Sequence, residues 1–474
     1  MSFELPVWSF AIAVLKKKLD LSPENLNRTI WILAIPAVLE NLLQVMVFIS
    51  DTMIVGWLKE ANPLAAASLI GPVLFLSNAP FYAMAIGAGS LVSRFWGQGD
   101  HKKAQEYGGT CMGIAVLLSI AIFAIVLPFT QAVVNFFDCT EAVSIAANKY
   151  LRIVLLSNIL GLPMLVANGI IRAVGKSTTA MIVTLIMNIC NVVVSITLAF
   201  GLGIVEPMGF LGVAWGTVIA RSLGGVLAIL VIIVPKMGIA ITLQSWFDFH
   251  WETIKRAWNT IFPAFMERFL YSIGNMFFIK IVAALGTSVI AGHQIALHIE
   301  SIAFMPAWGV AMAVSAITGQ AIGAGKSPMA IATVKKTITW TGLAMVIIGF
   351  SFILFSYPIV SLFGATEEVR NQAAMALQVG ALELPFLAFS LILVSALRGA
   401  GDTRSPLVVC FVCIILFRLG AVYLFAIVLN LGIAGVWLAT SMDWLGRSLG
   451  LLWFFKRGAW QHIHAREEEA IKKR

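Results

Sequence analysis

The stretch IWILAIPAVLENLLQVMVFISDTMIVGWL, residues 30–58, contains two ionisable side chains, Glu40 and Asp51, and is otherwise almost wholly apolar. It exceeds the ~20 residues that cross a bilayer as a helix. In lipid its backbone can satisfy its own polar groups only by coiling. Eleven comparable segments follow, near 63–93, 108–136, 142–171, 178–201, 209–234, 257–286, 288–322, 334–362, 368–397, 405–430 and 432–455. The whole chain agrees with this local reading: of 474 residues, 60% are hydrophobic and 12% charged, with mean hydropathy +0.93. Soluble domains are ~45–50% apolar and ~25% charged. A soluble globule of this length could not bury so much apolar surface. A disordered chain is therefore excluded, a soluble enzyme is not expected, and the expected fold is an all-α polytopic membrane protein of twelve transmembrane helices.

The net charge of +9 would point to nucleic acid in a soluble protein. Its placement points elsewhere. With the N-terminus cytoplasmic, 23 of the 32 basic residues fall on cytoplasmic segments and only Lys59, Lys149, Arg152 and Arg370 on the opposite side. By the positive-inside rule both termini are expected in the cytoplasm of a multi-pass cell (inner) membrane protein, with the bilayer rather than nucleic acid as partner. Residues 1–29 form a cytoplasmic N-terminal segment, with Met1–Leu15 readable as a surface amphipathic helix. They do not read as a cleavable signal, because the basic cluster Lys16–Lys18 follows the first apolar stretch. The five cysteines provide no disulfide framework or metal site, and Cys410 and Cys413 are expected to pack.

The two sets of six segments are copies. Ile35-Pro36-Ala37-Val38-Leu39-Glu40 returns as Phe262-Pro263-Ala264-Phe265-Met266-Glu267. Ile171-Arg172-Ala173-Val174-Gly175-Lys176-Ser177 returns as Leu397-Arg398-Gly399-Ala400-Gly401-Asp402-Thr403. Six spans is an even number, so the copies enter the membrane in the same direction, as parallel repeats about the membrane normal. The expected organisation is an N-lobe over 30–234, a cytoplasmic linker over 235–256, a C-lobe over 257–456 and a cytoplasmic tail over 457–474. Two such bundles that rock about a central cavity make a transporter, not an enzyme.

Ionisable groups within spans are costly and mark function. Asp51 has no basic neighbour at helical spacing, so a buried carboxylate there must take a proton or hold a cation. Glu267 likewise lacks a local partner, since Arg268 points to another part of the helix. Glu300 invites a base from another helix, Arg418 or Lys280 being the candidates. Glu40 and Glu383 lie nearer helix ends, within reach of interfacial water, and Asp443 with Arg447 forms an i,i+4 pair. Pro36 and Pro263 each remove a ladder hydrogen bond, and are read either as static bends or as hinges that answer protonation of Asp51. Gly323-Ala324-Gly325-Lys326-Ser327 lacks the first glycine of a phosphate loop and the strand before it. His293 and His298 diverge on a helix without a third ligand, so no zinc site is expected.

Pro36 to Gly56 with its Asp51-Thr52 step, Ala291-Gly292-His293-Gln294-Ile295-Ala296, Phe210-Leu211-Gly212-Val213-Ala214-Trp215-Gly216-Thr217 and Leu397 to Thr403 together resemble the multidrug and toxic compound extrusion (MATE) family. The resemblance spans about 30–455. It implies a V-shaped pair of bundles that extrudes organic, often cationic, amphipathic compounds in exchange for H⁺ or Na⁺, with no cofactor. It also implies that Asp51 is the N-lobe coupling acid, with Asn191 and Thr217 as its partners. Ser195 stands where a second carboxylate is common, and one fewer charge favours proton over Na⁺ coupling. Glu267 matches the acid of a C-lobe site, whereas Leu387 occupies the place of its usual companion and Glu383 lies one turn away. Any Na⁺ is thus expected at Asp51 or Glu267, with Glu300 and Glu383 as further C-lobe polar groups. The alternative within the wider superfamily is a flippase for a lipid-linked headgroup or oligosaccharide, whose cavity would hold several unpaired arginines. The chain is expected to act as a monomer on a small organic substrate.

Overall fold

In the computed structural model, residues 22–58, 61–137, 139–201, 206–235 and 239–472 are described, apart from the side chains of residues 48, 61–65, 67, 68, 72 and 470–472. The surface helix expected at Met1–Leu15 lies outside them. Helix occupies each of the twelve apolar segments: α1 (Leu26–Trp57), α2 (Ala61–Gln98), α3 (His101–Asn135, tightened at Leu127–Phe129), α4 (Glu141–Ala173), α5 (Ser177–Phe200) and α6 (Phe210–Ile233). Then come α7 (Trp251–Ala283), α8 (Thr287–Gly323), α9 (Ser327–Ser361), α10 (Glu367–Gly380 and Leu384–Gly399), α11 (Arg404–Val428) and α12 (Gly432–Arg457). No strand occurs among the described residues.

Nine of these helices are long and apolar enough to cross a membrane by length and composition. The two arms of α10, bent by 56°, make a tenth. The others, α7 and α12, carry Glu267, Arg268 and Lys280, and Asp443 and Arg447, which dilute their apolar character. The outward faces are those of a chain solvated by lipid: Leu343, Ile347, Phe350 and Leu354, at helical spacing along α9, are each 59–70% exposed.

The chain divides into two compact units, residues 39–258 and residues 21–38 with 259–474. The division departs from the expected boundaries because α1 is shared. Its first turns count with the second unit, where Trp31 stacks on Trp340 at 5.4 Å and Lys336 donates to Asn27 at 2.7 Å. In the first unit α4 is central, with 72% of its most apolar stretch buried. The expected linker is also more than a tether. Gln105 donates to the Ile239 carbonyl at 2.8 Å, and Trp246, on the short helix Gln244–Phe247, is buried against α3. The second unit packs around Phe278, Leu377, Leu384, Val422 and Trp437.

The internal repeat is visible in the backbone. Gly99 and Gly325, 226 residues apart, both take left-handed φ (87° and 71°), as do Gly175 and Gly401 (91° and 97°), again 226 apart. A side chain other than glycine is strained there. These turns end helices at matched places and hand the chain to the next span. Asp100 and Asp402 cap the helices that follow two of them, accepting from the Lys103 and Ser405 amides at 3.0 Å each.

Candidate cation site

In the first unit, α1, α5 and α6 bring three residues distant in sequence to one point. Asp51 lies on the half of α1 that packs with this unit. Its Oδ1 accepts from Asn191 Nδ2 of α5 at 3.1 Å, and its Oδ2 from Thr217 Oγ1 of α6 at 2.8 Å. Asn191 and Thr217 are buried, and the Ser50 hydroxyl donates to Asn191 Oδ1 at 3.2 Å, which fixes the amide's orientation. Both donors to Asp51 are neutral, so the carboxylate receives hydrogen bonds without a bonded counter-ion. Carboxylate, amide and hydroxyl oxygens gather here, the donor set that a proton or a hard monovalent cation accepts. Arg221, one turn beyond Thr217, is within electrostatic reach of Asp51, and the Tyr150 phenol lies beside Thr217. Ser195 is fully buried and its hydroxyl finds no hydrogen-bond partner among the described residues. It faces Gly216, where any added Cβ would overlap it.

The second unit holds two different polar assemblies. Asp443, fully buried, accepts from Arg418 at 3.1 Å and from Arg447 at 2.9 Å, with Arg447 also touching Cys410 Sγ at 3.3 Å. Nearby, Glu300 of α8 and Glu383, at the break of α10, are both buried and lie within electrostatic range of one another. The Thr440 hydroxyl of α12 donates to the Trp437 carbonyl at 2.9 Å, and Arg418 lies within electrostatic range of both acids. Thr440 is the eighth residue after Gly432, as Thr217 is after Gly209, and both glycines have φ of 55°. Each repeat thus places a threonine at the same position of its last helix, but Thr217 donates to a carboxylate and Thr440 to a backbone carbonyl. His293, between Phe278 and Trp437, has neither ring nitrogen hydrogen-bonded among the described residues.

A third feature is common to both units. Arg172 reaches Glu40 at 2.6 Å, and Arg398 reaches Glu267 at 2.6 Å. The four residues are those that the repeat aligns. Each pair ties the proline-containing helix of its unit, α1 or α7, to the end of α4 or α10.

The MatE family pattern matches residues 36–197 and again 263–424, once per repeat. The chain belongs to the MatE family. Among curated relatives, a probable multidrug resistance protein NorM of Thermotoga maritima is 26% identical over 441 residues, covering 93% of this chain and 94% of its own. A multidrug export protein MepA of Staphylococcus haemolyticus is 22% identical over 376 residues, 78% of this chain and 81% of its own. Among solved structures, a MATE crystal structure in the bent conformation has a TM-score of 0.85 at 20% identity, covering 96% of this chain and 99% of that one. A MOP superfamily transporter of Pyrococcus furiosus has a TM-score of 0.84 at 21% identity, over 95% and 98%. The chain is a multi-pass membrane protein of a multidrug efflux transporter family, and the resemblance seen in its sequence is confirmed.

In this MatE protein the residues singled out from sequence separate into groups. Asp51, Asn191 and Thr217 meet, while Ser195 sits beside them without a polar contact. Glu267, read as lacking a partner, has one in Arg398, since a base 131 residues away cannot be seen by helical spacing. Glu383 and Glu40, read as reaching interfacial water, are 2% and 1% exposed. Glu383 is drawn inward by the bend of α10 and Glu40 by Arg172. Glu300 finds an acid before it finds a base. Asp443 pairs with Arg447 as its spacing indicates, and with Arg418 besides. α1 and α7 continue as helix through Pro36 and Pro263, whereas α9 leaves helical dihedrals at Phe355 (φ −118°), three residues before Pro358. Arg221, Tyr150 and Ser50 were missed. Each reaches the site from another helix or through Asn191, and only the placement of Arg221 one turn after Thr217 hinted at it.

Proposed function

We propose that the protein is a secondary active exporter in which Asp51 is the coupling group, exchanging a cation for organic, cationic amphipathic compounds by alternating access. The observation that carries this is the convergence of Asn191 and Thr217 on both oxygens of Asp51. A carboxylate held by neutral donors can lose and regain a proton without breaking an ion pair, and its donors can follow it. Ser195 adds a hydroxyl where a second carboxylate would strengthen a Na⁺ cage, which favours H⁺ as the coupling ion. The cationic substrate class follows from the acids in the spans and from the multidrug export named for the relatives. The charge count supports both termini on the cytoplasmic side of the cell (inner) membrane, and the chain is taken to act as a monomer without cofactor.

Proteoliposomes with an imposed H⁺ or Na⁺ gradient test this. Wild-type protein should accumulate a lipophilic cationic dye on a proton gradient alone, and Asp51→Asn should not. Dye uptake unaltered by Asp51→Asn would end the assignment, and uptake driven only by Na⁺ would overturn the choice of ion. The Glu300–Glu383 pair supports a second protonation step in the C-lobe, because two carboxyl groups buried within electrostatic range of each other disfavour a second negative charge. If so, the protons exchanged per dye should fall in Glu383→Gln, which keeps a donor but cannot titrate. The flippase alternative is disfavoured by pairing: Arg172, Arg398, Arg418 and Arg447 each hold a carboxylate.

A further inference from the structure

Beyond the transport path, the cytoplasmic-side end of α12 builds a pocket that no step of the exchange uses. The helix ends at Gly458, whose left-handed φ of 74° turns the chain back. Trp460 then folds under the helix end, fully buried, stacked on Phe455 at 4.8 Å and donating its Nε1–H to the Phe455 carbonyl at 2.8 Å. This lock sets the turn Ala459–His462 and the helix α13 (Ile463–Lys472) beside the last turn of α12. The result is a cavity of about 640 Å³ whose lining includes Lys456, Arg457, His462 and Arg466, with Gln461 and Ser405 as neutral donors and no acidic residue. Asp402, next to Ser405, is engaged by the Ser405 amide and hydroxyl at 3.0 and 2.6 Å. The depth is set by the helix surface. Leu449 and Trp453 are exposed to the lipid side at 59% and 56%, and the basic residues begin three positions later, with Arg457 over the Trp453 ring at 5.4 Å. An exposed tryptophan followed by bases marks the headgroup level of a bilayer.

We infer that this pocket binds the phosphate group of a net-anionic headgroup, supplied by lipid of the adjoining leaflet. Two guanidinium forks and an ammonium suit phosphate oxygens. Basic pockets at this depth concentrate anionic lipid, and the tail turn gives the headgroup a wall that a bare helix end lacks. A soluble phosphate could use the same donors, but lacks the acyl chains that would lie along Leu449 and Trp453.

Native mass spectrometry of the full chain in detergent decides, with phosphatidylglycerol, phosphatidylcholine and inorganic phosphate as probes. Wild type should retain phosphatidylglycerol but not phosphatidylcholine. The triple variant Lys456→Gln, Arg457→Gln, Arg466→Gln should lose affinity by roughly a hundredfold. A control, Lys102→Gln with Lys335→Gln, removes two bases elsewhere and should retain lipid as wild type does. Inorganic phosphate that competes only weakly supports the lipid source; phosphate that binds alone as tightly as the lipid assigns the pocket to a soluble anion and overturns that source. Equal retention by the triple variant, or equal retention of phosphatidylcholine, overturns the site. Because the triple variant must also fold, wild type alone supplies a second measurement: retention should fall as NaCl rises from ~50 to ~500 mM, and salt-independent retention overturns the proposal.

Discussion

Asp51 is served by one hydroxyl and one amide, and the two donors are not equivalent. Thr217 gives the shorter bond, 2.8 Å against 3.1 Å, and its hydroxyl can be removed without changing side-chain volume. Thr217→Val should therefore reduce dye exchange by about tenfold or more, since a hydrogen bond to a charged group contributes ~1.5–3 kcal/mol, while Thr217→Ser should restore most of it. Initial rates in proteoliposomes at one fixed pH measure this. Gly216 beside it is constrained by space, because a Cβ there would meet Ser195 backbone and hydroxyl atoms. Gly216→Ala should lower the thermal unfolding midpoint in detergent, at a cost of about 1–3 kcal/mol for the overpacking. At this scale the sequence revealed the acid and, through family resemblance, its two partners. It could not reveal Arg221 or Tyr150, because side-chain proximity across helices depends on rotation and depth, which hydropathy does not encode.

At the scale of elements, the twin ion pairs decide how the two proline helices are held. Glu40 is 1% exposed and Arg172 13%, so removing one partner leaves a poorly solvated charge. Glu40→Gln or Arg172→Gln alone should cost about 3–5 kcal/mol, and the double variant less than the sum of the two. A double-mutant cycle on thermal or denaturant unfolding checks it, and strict additivity would mean that the pair is not coupled. The same cycle on Glu267 and Arg398 should give a similar coupling, as the repeat requires. The bend of α10 is the complementary case. Its 56° break at residues 381–383 falls inside the span expected over 368–397, and it sets Glu383 near Glu300. The break's trace in the sequence is Pro385, in the first turn of the second arm, where a proline is tolerated as it is not in a helix interior.

For the whole molecule, the charge count makes a prediction that needs no substitution. Cys139 lies in the loop after α3, expected on the outer side, whereas Cys111, Cys410 and Cys413 are buried. A membrane-impermeant maleimide added to intact cells should label Cys139 and leave those three unmodified; labelling only after permeabilisation would reverse the assigned orientation. The twelve helical segments and their repeat were already legible in the chain, because helix follows from the cost of placing peptide groups in hydrocarbon, which each segment meets by itself. Which half of α1 packs with which unit, which carboxylates are paired with a base and which lie beside another acid were decided only by tertiary structure. Those outcomes depend on which side chains from distant helices arrive at the same depth. At that depth a buried charge has no water to turn to, so its partner, not its position in the chain, sets its role.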